Sequence, residues 1–255
     1  MIEELELELT IFNSKRALSS IEKLLEVKKI GATTLLLDTK SPNSIYYNRI
    51  KGFSMDDIPN LDQILDTYSK HDIVPCFDLS PCNLNGEVAQ AFAKRGYVNM
   101  EQLAFMQLTL HQRIKTETSI PIVKVTVENA REYVQTIISS NGGMDIDDEV
   151  IERKKHYFLQ PNFHNYMAYH CDEVAGIGSL FVSSDQAYIA NDYTFEQFRG
   201  KGVQKGLITE RIKEALGLGI SRIFTDVEFG SISHGNMEKL GFKTVFLNSF
   251  WQREE

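Results

Sequence analysis

Tyr193-Thr194-Phe195-Glu196-Gln197-Phe198-Arg199-Gly200-Lys201-Gly202-Val203-Gln204-Lys205-Gly206-Leu207 is the stretch on which the reading of this chain turns. A strand candidate, Ala187 to Thr194, leads into it. An amphipathic helix leads out of it, with Ile208, Ile212, Ala215 and Leu216 on one face and Glu210, Lys213 and Glu214 on the other. Gly217 and Gly219 end that helix. The first N–H groups of a helix have no partner within it. Together with the helix dipole they form a site for an anion. Glycines let a pyrophosphate approach the backbone, and Arg199, Lys201 and Lys205 add positive charge. An ordinary glycine loop with solvated basic side chains fits the same pattern.

Two familiar phosphate turns fit poorly. A Walker loop needs Ser or Thr directly after Gly-Lys, and here Gly202 follows Gly200-Lys201. A dinucleotide turn wants its glycines directly after an apolar strand, and here Glu196-Gln197 intervenes.

Working outward, the chain echoes itself. Lys94-Arg95-Gly96-Tyr97 follows a helix-like stretch from Gly86, and Lys239-Leu240-Gly241-Phe242 follows one from Ser233. At the same downstream spacing, Ala104-Phe105-Met106-Gln107 corresponds to Ser249-Phe250-Trp251-Gln252. Upstream lie the strand candidates Ile73 to Leu79 and Ile220 to Val227. Each block reads strand, helix, Gly-aromatic, strand, and each glycine falls where a helix ends. The ungapped spacing argues for an internal repeat. It predicts two domains, 1–118 and 119–255, joined by a polar linker near 116–121.

Between linker and turn the pattern predicts a strand over 122–127 and a helix from a cap at Asn129 to about Ser139, stopped by Asn141-Gly142-Gly143. A second helix starts in the acidic run 145–149. Strands follow over 163–170, 174–183 and 187–194. In the first half, Asn60-Leu61-Asp62-Gln63 reads as a capping box for a helix over 61–69. Tyr46 and Tyr47, beside Arg49, read as core tyrosines, as do Phe250 and Trp251 as core aromatics.

Composition bounds the function. The chain has 255 residues, 42% hydrophobic and 24% charged, an ordinary globular balance. Its net charge of −8 argues against a nucleic-acid partner and mildly favours a cationic small molecule or peptide. No apolar run is long enough to span a bilayer, so no membrane partner is expected. The acidic start Met1-Ile2-Glu3-Glu4 is unlike a secretory signal, and three widely spaced cysteines fit a reducing compartment. The expected location is the cytoplasm. His170 and Cys171 lack a ligand spacing, so no metal is expected.

The turn resembles the acetyl-CoA pyrophosphate loop of the GNAT (Gcn5-related) N-acetyltransferases, Arg/Gln-x-x-Gly-x-Gly/Ala. Arg199, Gly200, Lys201 and Gly202 match its first four positions, and Gln204 departs from it. Glu228 to Asn236, followed by Met237 to Phe242, resembles the family's second cofactor segment, which ends in Gly-Phe. The resemblance covers roughly residues 120 to 255. The first half is similar to the degenerate N-terminal domain of tandem GNAT proteins: its counterpart region, Tyr46 to Phe53, has too few glycines for a pyrophosphate.

The resemblance implies an α/β (α+β) fold of two GNAT-like domains, each a mixed, mostly antiparallel sheet flanked by helices. It implies acetyl-CoA as co-substrate and an N-acetyltransferase acting on an amine of a small molecule or peptide, by direct attack in a ternary complex. A homodimer is compatible with it. The cofactor residues would be Tyr193, Thr194, Phe195, Arg199, Gly200, Lys201, Gly202, Val203, Gln204, Lys205, Gly206, Ser231, Ser233 and Asn236, with the strand at 192–195 splayed from its neighbour. Met237 stands where the family's usual thiolate acid, a tyrosine, would be. Ser231, Ser233 and His234 are the substitutes considered, and Ser231 and Ser233 also read as helix caps. Asp192, Glu228 and Tyr193 are the candidate bases. The missing acid motivates an alternative, a non-catalytic acyl-CoA-binding or interaction protein.

Overall fold

The computed structural model describes residues 2–22, 24–110, 118–143 and 145–253. The predicted linker at 116–121 begins in residues that lie outside these. In chain order the elements are α1 (Ile2–Arg16), β1 (Leu25–Ile30), β2 (Thr33–Asp38), β3 (Arg49–Lys51), α2 (Leu61–Ser69), β4 (Cys76–Leu79), α3 (Gly86–Ala93), β5 (Tyr97–Thr109) and β6 (Ile122–Lys124). They continue with α4 (Ala130–Ser140), α5 (Asp148–Lys154), β7 (Phe163–His170), β8 (Glu173–Ser183), β9 (Gln186–Thr194), α6 (Val203–Gly217), β10 (Arg222–Glu228), α7 (Ile232–Lys239) and β11 (Lys243–Arg253). The fold is a mixed α/β one, with mostly antiparallel sheet flanked by helices. Contacts divide it into two compact units: 1–20 with 107–225 and 236–243, and 21–106 with 226–235 and 244–255.

The predicted repeat has a structural form. β3–α2–β4–α3–β5 and β9–α6–β10–α7–β11 follow the same order. Each contains one parallel strand pair, β3 with β4 and β9 with β10, bridged by a helix as a parallel pair requires. Gly96 and Gly241 adopt φ of +76° and +95°, past the ends of α3 and α7. At the second, the Phe242 N–H reaches back to the Met237 carbonyl at 3.1 Å, closing the helix end. Tyr97 and Phe242, the aromatics after the glycines, are both buried.

In the unit containing 21–106, the strand order is β1-β2-β3-β4-β11-β5. β11 lies antiparallel beside β4, with Ser249 opposite Leu79 and Trp251 opposite Phe77. Burying apolar area is what holds such a sheet to its helices. Phe53, Phe77, Phe92 and Tyr97 form the aromatic centre, with Phe77 and Phe92 ring centroids 4.2 Å apart. Phe250 is buried, and the partly buried Trp251 packs on Phe92 at 5.6 Å. Tyr46, expected in the core, is exposed instead. Its ring lies 4.8 Å from the guanidinium of Arg49, and the arginine is the buried partner. Arg49 and Lys51 of β3 pair with the fully buried Asp78 of β4, which also accepts from Asn248 Nδ2 at 2.7 Å. A buried carboxylate needs partners of this kind.

The capping box lies upstream of its expected place. Asn60 is already helical and makes no side-chain cap, because a 3₁₀ turn, Met55–Asn60, precedes α2. The carboxylate of Asp57 instead accepts from the N–H and the hydroxyl of Ser54, at 3.2 and 3.1 Å.

In the other unit, the order is β10-β9-β8-β7-β6. α4 begins and ends close to its expected positions, α5 starts within the acidic run, and Gly142 and Gly143 have positive φ after α4. Asn129 stands at the start of α4, yet its Oδ1 accepts from the N–H of Thr126 at 2.7 Å and not from the helix. α1 has no counterpart among the sequence expectations. It belongs to this unit, where Phe12 packs on Phe163 and Phe181 at 4.9 and 5.6 Å. Among the described residues no helix is long and apolar enough to cross a membrane.

Candidate functional site

Two departures from regular pairing shape β9. Against β8, Ala190 pairs with Ser179 and Tyr193 with Ile177, so Asn191 and Asp192 together face Gly178. Two residues opposite one make a β-bulge, which bends and twists the strand that carries it. Asn191 sits at φ +55°, a left-handed conformation that asparagine tolerates better than most residues. Against β10, the ladder stops at Tyr188 opposite Phe224. The hydroxyl of Thr225 then donates to the Ile189 carbonyl at 3.2 Å. Only three of the nine residues of β9 are thus laddered to β10, and residues 190–194 run beyond the ladder. The segment expected to splay, 192–195, thus lies beyond the ladder.

The turn follows at once. Phe195 N–H closes on the Ala175 carbonyl at 3.1 Å, and a single 3₁₀ turn covers Glu196–Phe198. Gly200 and Gly202 both have positive φ, +77° and +83°. A Cβ added to either would meet nothing within 4 Å, so the space before the helix is open. The first α6 bond runs from the Gly206 N–H to the Gly202 carbonyl at 2.9 Å. The N–H groups of Val203, Gln204 and Lys205 lie in the first turn of α6, at the positive end of the helix dipole. Arg199, Lys201 and Lys205 are exposed around them, with Lys201 Nζ 5.2 Å from the Phe198 ring and Arg199 Nε 3.4 Å from the Thr194 carbonyl. Backbone donors, positive charge and open space fit the pyrophosphate of a coenzyme A.

The remaining predicted residues divide clearly. Tyr193 and Thr194 lie on β9 opposite Ile177 and Gly176, and the Tyr193 and Phe195 rings meet edge to face at 5.1 Å. Gln204 and Asn236 are brought together, with Asn236 Nδ2 donating to Gln204 Oε1 at 2.8 Å. Gly206 faces inward. A Cβ there would come within 2.9 Å of Thr118 Oγ1 and 3.1 Å of Ile120, so this glycine lets the segment at 118–120 pack on α6.

Among the catalytic candidates, Asp192 uses both carboxylate oxygens on the guanidinium of Arg211. Ser231 Oγ accepts from the His234 N–H at 3.1 Å and so caps α7. His234 Nε2 lies 3.1 Å from Thr244 Oγ1, and its ring packs 5.2 Å from Phe229. Glu228 ends β10 with its side chain exposed, and Ser233 is half-buried on α7. Glu228, Ser231, Ser233 and His234 fall in the unit containing 21–106, while Asp192, Asn236 and the turn fall in the other. Met237 is buried in the core.

Sequence reasoning missed Arg211. It is fully buried on the face of α6 that carries Ile208, Ile212 and Ala215. Besides Asp192, its guanidinium donates to the Ser179 carbonyl at 3.1 Å and the Leu207 carbonyl at 2.9 Å. Gly178 makes room for it: a Cβ there would stand 2.8 Å from Arg211 Cζ. A polar network adjoins the bulge. Asn191 Nδ2 donates to Ser179 Oγ (3.2 Å), Ser179 Oγ to Asn165 Oδ1 (2.6 Å), and the Tyr133 hydroxyl to the same Asn165 oxygen (3.0 Å). Burial pushes the Tyr133 hydroxyl well above the usual phenol range, which keeps it a donor. The only sequence signal was the pairing of a helix arginine with a strand glycine, which spacing does not reveal.

Residues 131–242 match the acetyltransferase (GNAT) family. No curated protein matches the chain in sequence. Solved structures resemble it along nearly its whole length. A GCN5-related N-acetyltransferase from Kribbella flavida aligns over 100% of this chain and 95% of its own, at 11% identity and a TM-score of 0.69. One from Sphaerobacter thermophilus covers 89% and 82%, at 10% identity and a TM-score of 0.65. A tandem GNAT protein from the clavulanic acid biosynthesis pathway covers 95% and 86%, at 13% identity and a TM-score of 0.61. These likenesses establish the fold. The family match makes residues 131–242 an acetyltransferase domain of the GNAT type, that of an acyl-CoA N-acyltransferase.

Proposed function

We propose that the chain transfers an acetyl group from acetyl-CoA to an amine of a small molecule or peptide, in a ternary complex. The observation that carries this reading is the open start of α6, with its two positive-φ glycines and three exposed cations, directly after a strand that leaves its β10 ladder. Backbone N–H groups at 203–205 would hold the pyrophosphate, with Arg199, Lys201 and Lys205 around it. The free edge of β9 at 192–195 would pair with the pantetheine arm. Asn236, already bonded to Gln204, stands on α7 to meet the same arm. Ser231, which caps that helix, and Ser233, on it, would be further cofactor contacts.

Acetyl-CoA supplies the thioester that the amine attacks. The amine must lose a proton, and the leaving thiolate must gain one. Of the candidate bases, Glu228 is favoured, because Asp192 is committed to Arg211. His234 is favoured as the acid over Ser231, whose oxygen caps α7. Holding both reactants close supplies most of the remaining acceleration. The acidic surface suits a cationic acceptor. The protein is proposed to act in the cytoplasm, alone or as a homodimer. Residues 1–118 would supply the degenerate domain and 119–255 the catalytic one.

Thermal unfolding with and without acetyl-CoA tests the cofactor, with an adenosine nucleotide as control. Ligand at about a hundred times its dissociation constant stabilises by roughly 2.7 kcal/mol. A shift with acetyl-CoA alone is expected, and no shift would reject the site. Thiol release that depends on added amine, surveyed over a broad panel, then separates an enzyme from a binding module. Intersecting initial-rate lines are expected, and parallel lines would reject direct transfer.

A further inference from the structure

We propose that Arg16, on α1, is a positioning residue for the strand that holds acetyl-CoA, so that α1 is part of the cofactor-binding machinery. The proposal rests on the reading that β9 and the turn after it hold that cofactor.

The argument starts at the bulge. Asn191 and Asp192 are the two residues that face Gly178, and each is held by one arginine. Arg211 takes Asp192 from α6. Arg16 takes Asn191 from α1, its Nη2 donating to Asn191 Oδ1 at 2.7 Å across 175 residues of sequence. Asparagine permits the left-handed φ of +55° but does not enforce it. The two bonds of its side chain, from Arg16 and to Ser179 Oγ, fix it there.

Arg16 is itself held in place. Its Nε donates to Asn13 Oδ1 at 2.7 Å, and its guanidinium lies 5.4 and 5.1 Å from the Phe158 and Phe163 rings. Lys154 Nζ donates to the Lys15 carbonyl at 2.8 Å, fixing the end of α1. The bulge sets the register of the strand residues beyond it. Without the extra residue, Tyr193 and Thr194 would slip by one position, and every side chain after the slip would face the opposite side of the sheet. These are the residues of the proposed pantetheine edge. Arg16 thus acts on the cofactor through Asn191.

The test uses the full chain. Acetyl-CoA is titrated by calorimetry into the wild type, Arg16→Ala, Asn191→Gly and Asn191→Asp, well below their unfolding temperatures. Arg16→Ala is expected to weaken binding by about tenfold, the size of one lost charge-assisted hydrogen bond. Asn191→Gly keeps a residue that adopts positive φ freely but removes the tie, and is expected to weaken binding similarly. It carries the test if Arg16→Ala does not fold. Asn191→Asp retains an acceptor for Arg16 but loses the donor to Ser179 Oγ, and is expected to weaken binding less than Asn191→Gly does. In Arg16→Ala, amide exchange should quicken at 190–194 and not in the middle of α6. Wild-type binding with unchanged affinity in Arg16→Ala or in Asn191→Gly overturns the proposal alone. Absence of acetyl-CoA binding in the wild type overturns it together with the cofactor reading.

Discussion

The turn after β3 and the turn after β9 occupy the same place in the two repeats, and they end in opposite states. β3 has three residues and all three are paired with β4, while β9 has nine and pairs three with β10. Across the first seam, Arg49 and Lys51 hold Asp78, and β11 closes the far side of β4. Beyond β3 the chain turns at Gly52, and the carboxylate of Asp57 takes the free donors of Ser54. Beyond β9 two glycines with open space beside them lead into α6, among three exposed cations. One supersecondary block thus serves two ends. Where an internal carboxylate caps the turn, the seam contributes stability; the glycine turn is the one proposed to take a ligand's anion.

The sharpest way to break this contrast is at Gly202. Gly202→Asp forces a side chain onto a φ of +83° and places negative charge at the anion site. Acetyl-CoA affinity should fall by about a hundredfold or more, a loss of roughly 2.7 kcal/mol. Unchanged affinity in a titration would mean that the turn is not the cradle. The closed seam should respond in the opposite sense. Asp78→Ala leaves two buried cations without their anion and is expected to cost about 3–5 kcal/mol in urea unfolding. Acetyl-CoA affinity of the folded fraction should not change, and a large change would tie the closed seam to the ligand.

The smallest effect concerns the missing acid. Met237→Tyr restores the residue type the family uses, but into a core position that is 1% exposed. Overpacking there is expected to cost about 1–3 kcal/mol, with no gain in kcat. A faster enzyme would show that a hydroxyl at this position still reaches the leaving thiolate.

Much of this contrast could be read from the chain. The glycines at 200 and 202, the helix after them and the two Gly-aromatic helix ends rest on local chemistry, and local chemistry is legible. What escaped depends on distant partners. α1 presents Ile2, Leu5 and Leu9 to the core, but Glu6, Thr10 and Asn13 are buried beside them and blur the apolar stripe. Thr10 donates to Glu6 Oε1 at 2.8 Å, a local contact that hydropathy patterning cannot register. Arg211 looks like a surface residue until Gly178 and Asp192 are placed around it. Asp192 read as a free base because its arginine was unknown. Tyr46 read as core because aromatic content says nothing of which neighbour, ring or guanidinium, goes inside.

The place of β11 has a consequence for how the chain comes into being. Asn248 donates to Asp78 across 170 residues of sequence, from the strand that completes the sheet beside β4. A ribosome will have made β4, and the whole segment carrying the turn, before that partner exists. Until then one edge of β4 and the carboxylate of Asp78 lack their final neighbours, and an unpaired strand edge invites the wrong one. Assembly of this sheet therefore waits on late synthesis, and its long-range pairing sets a slow pace.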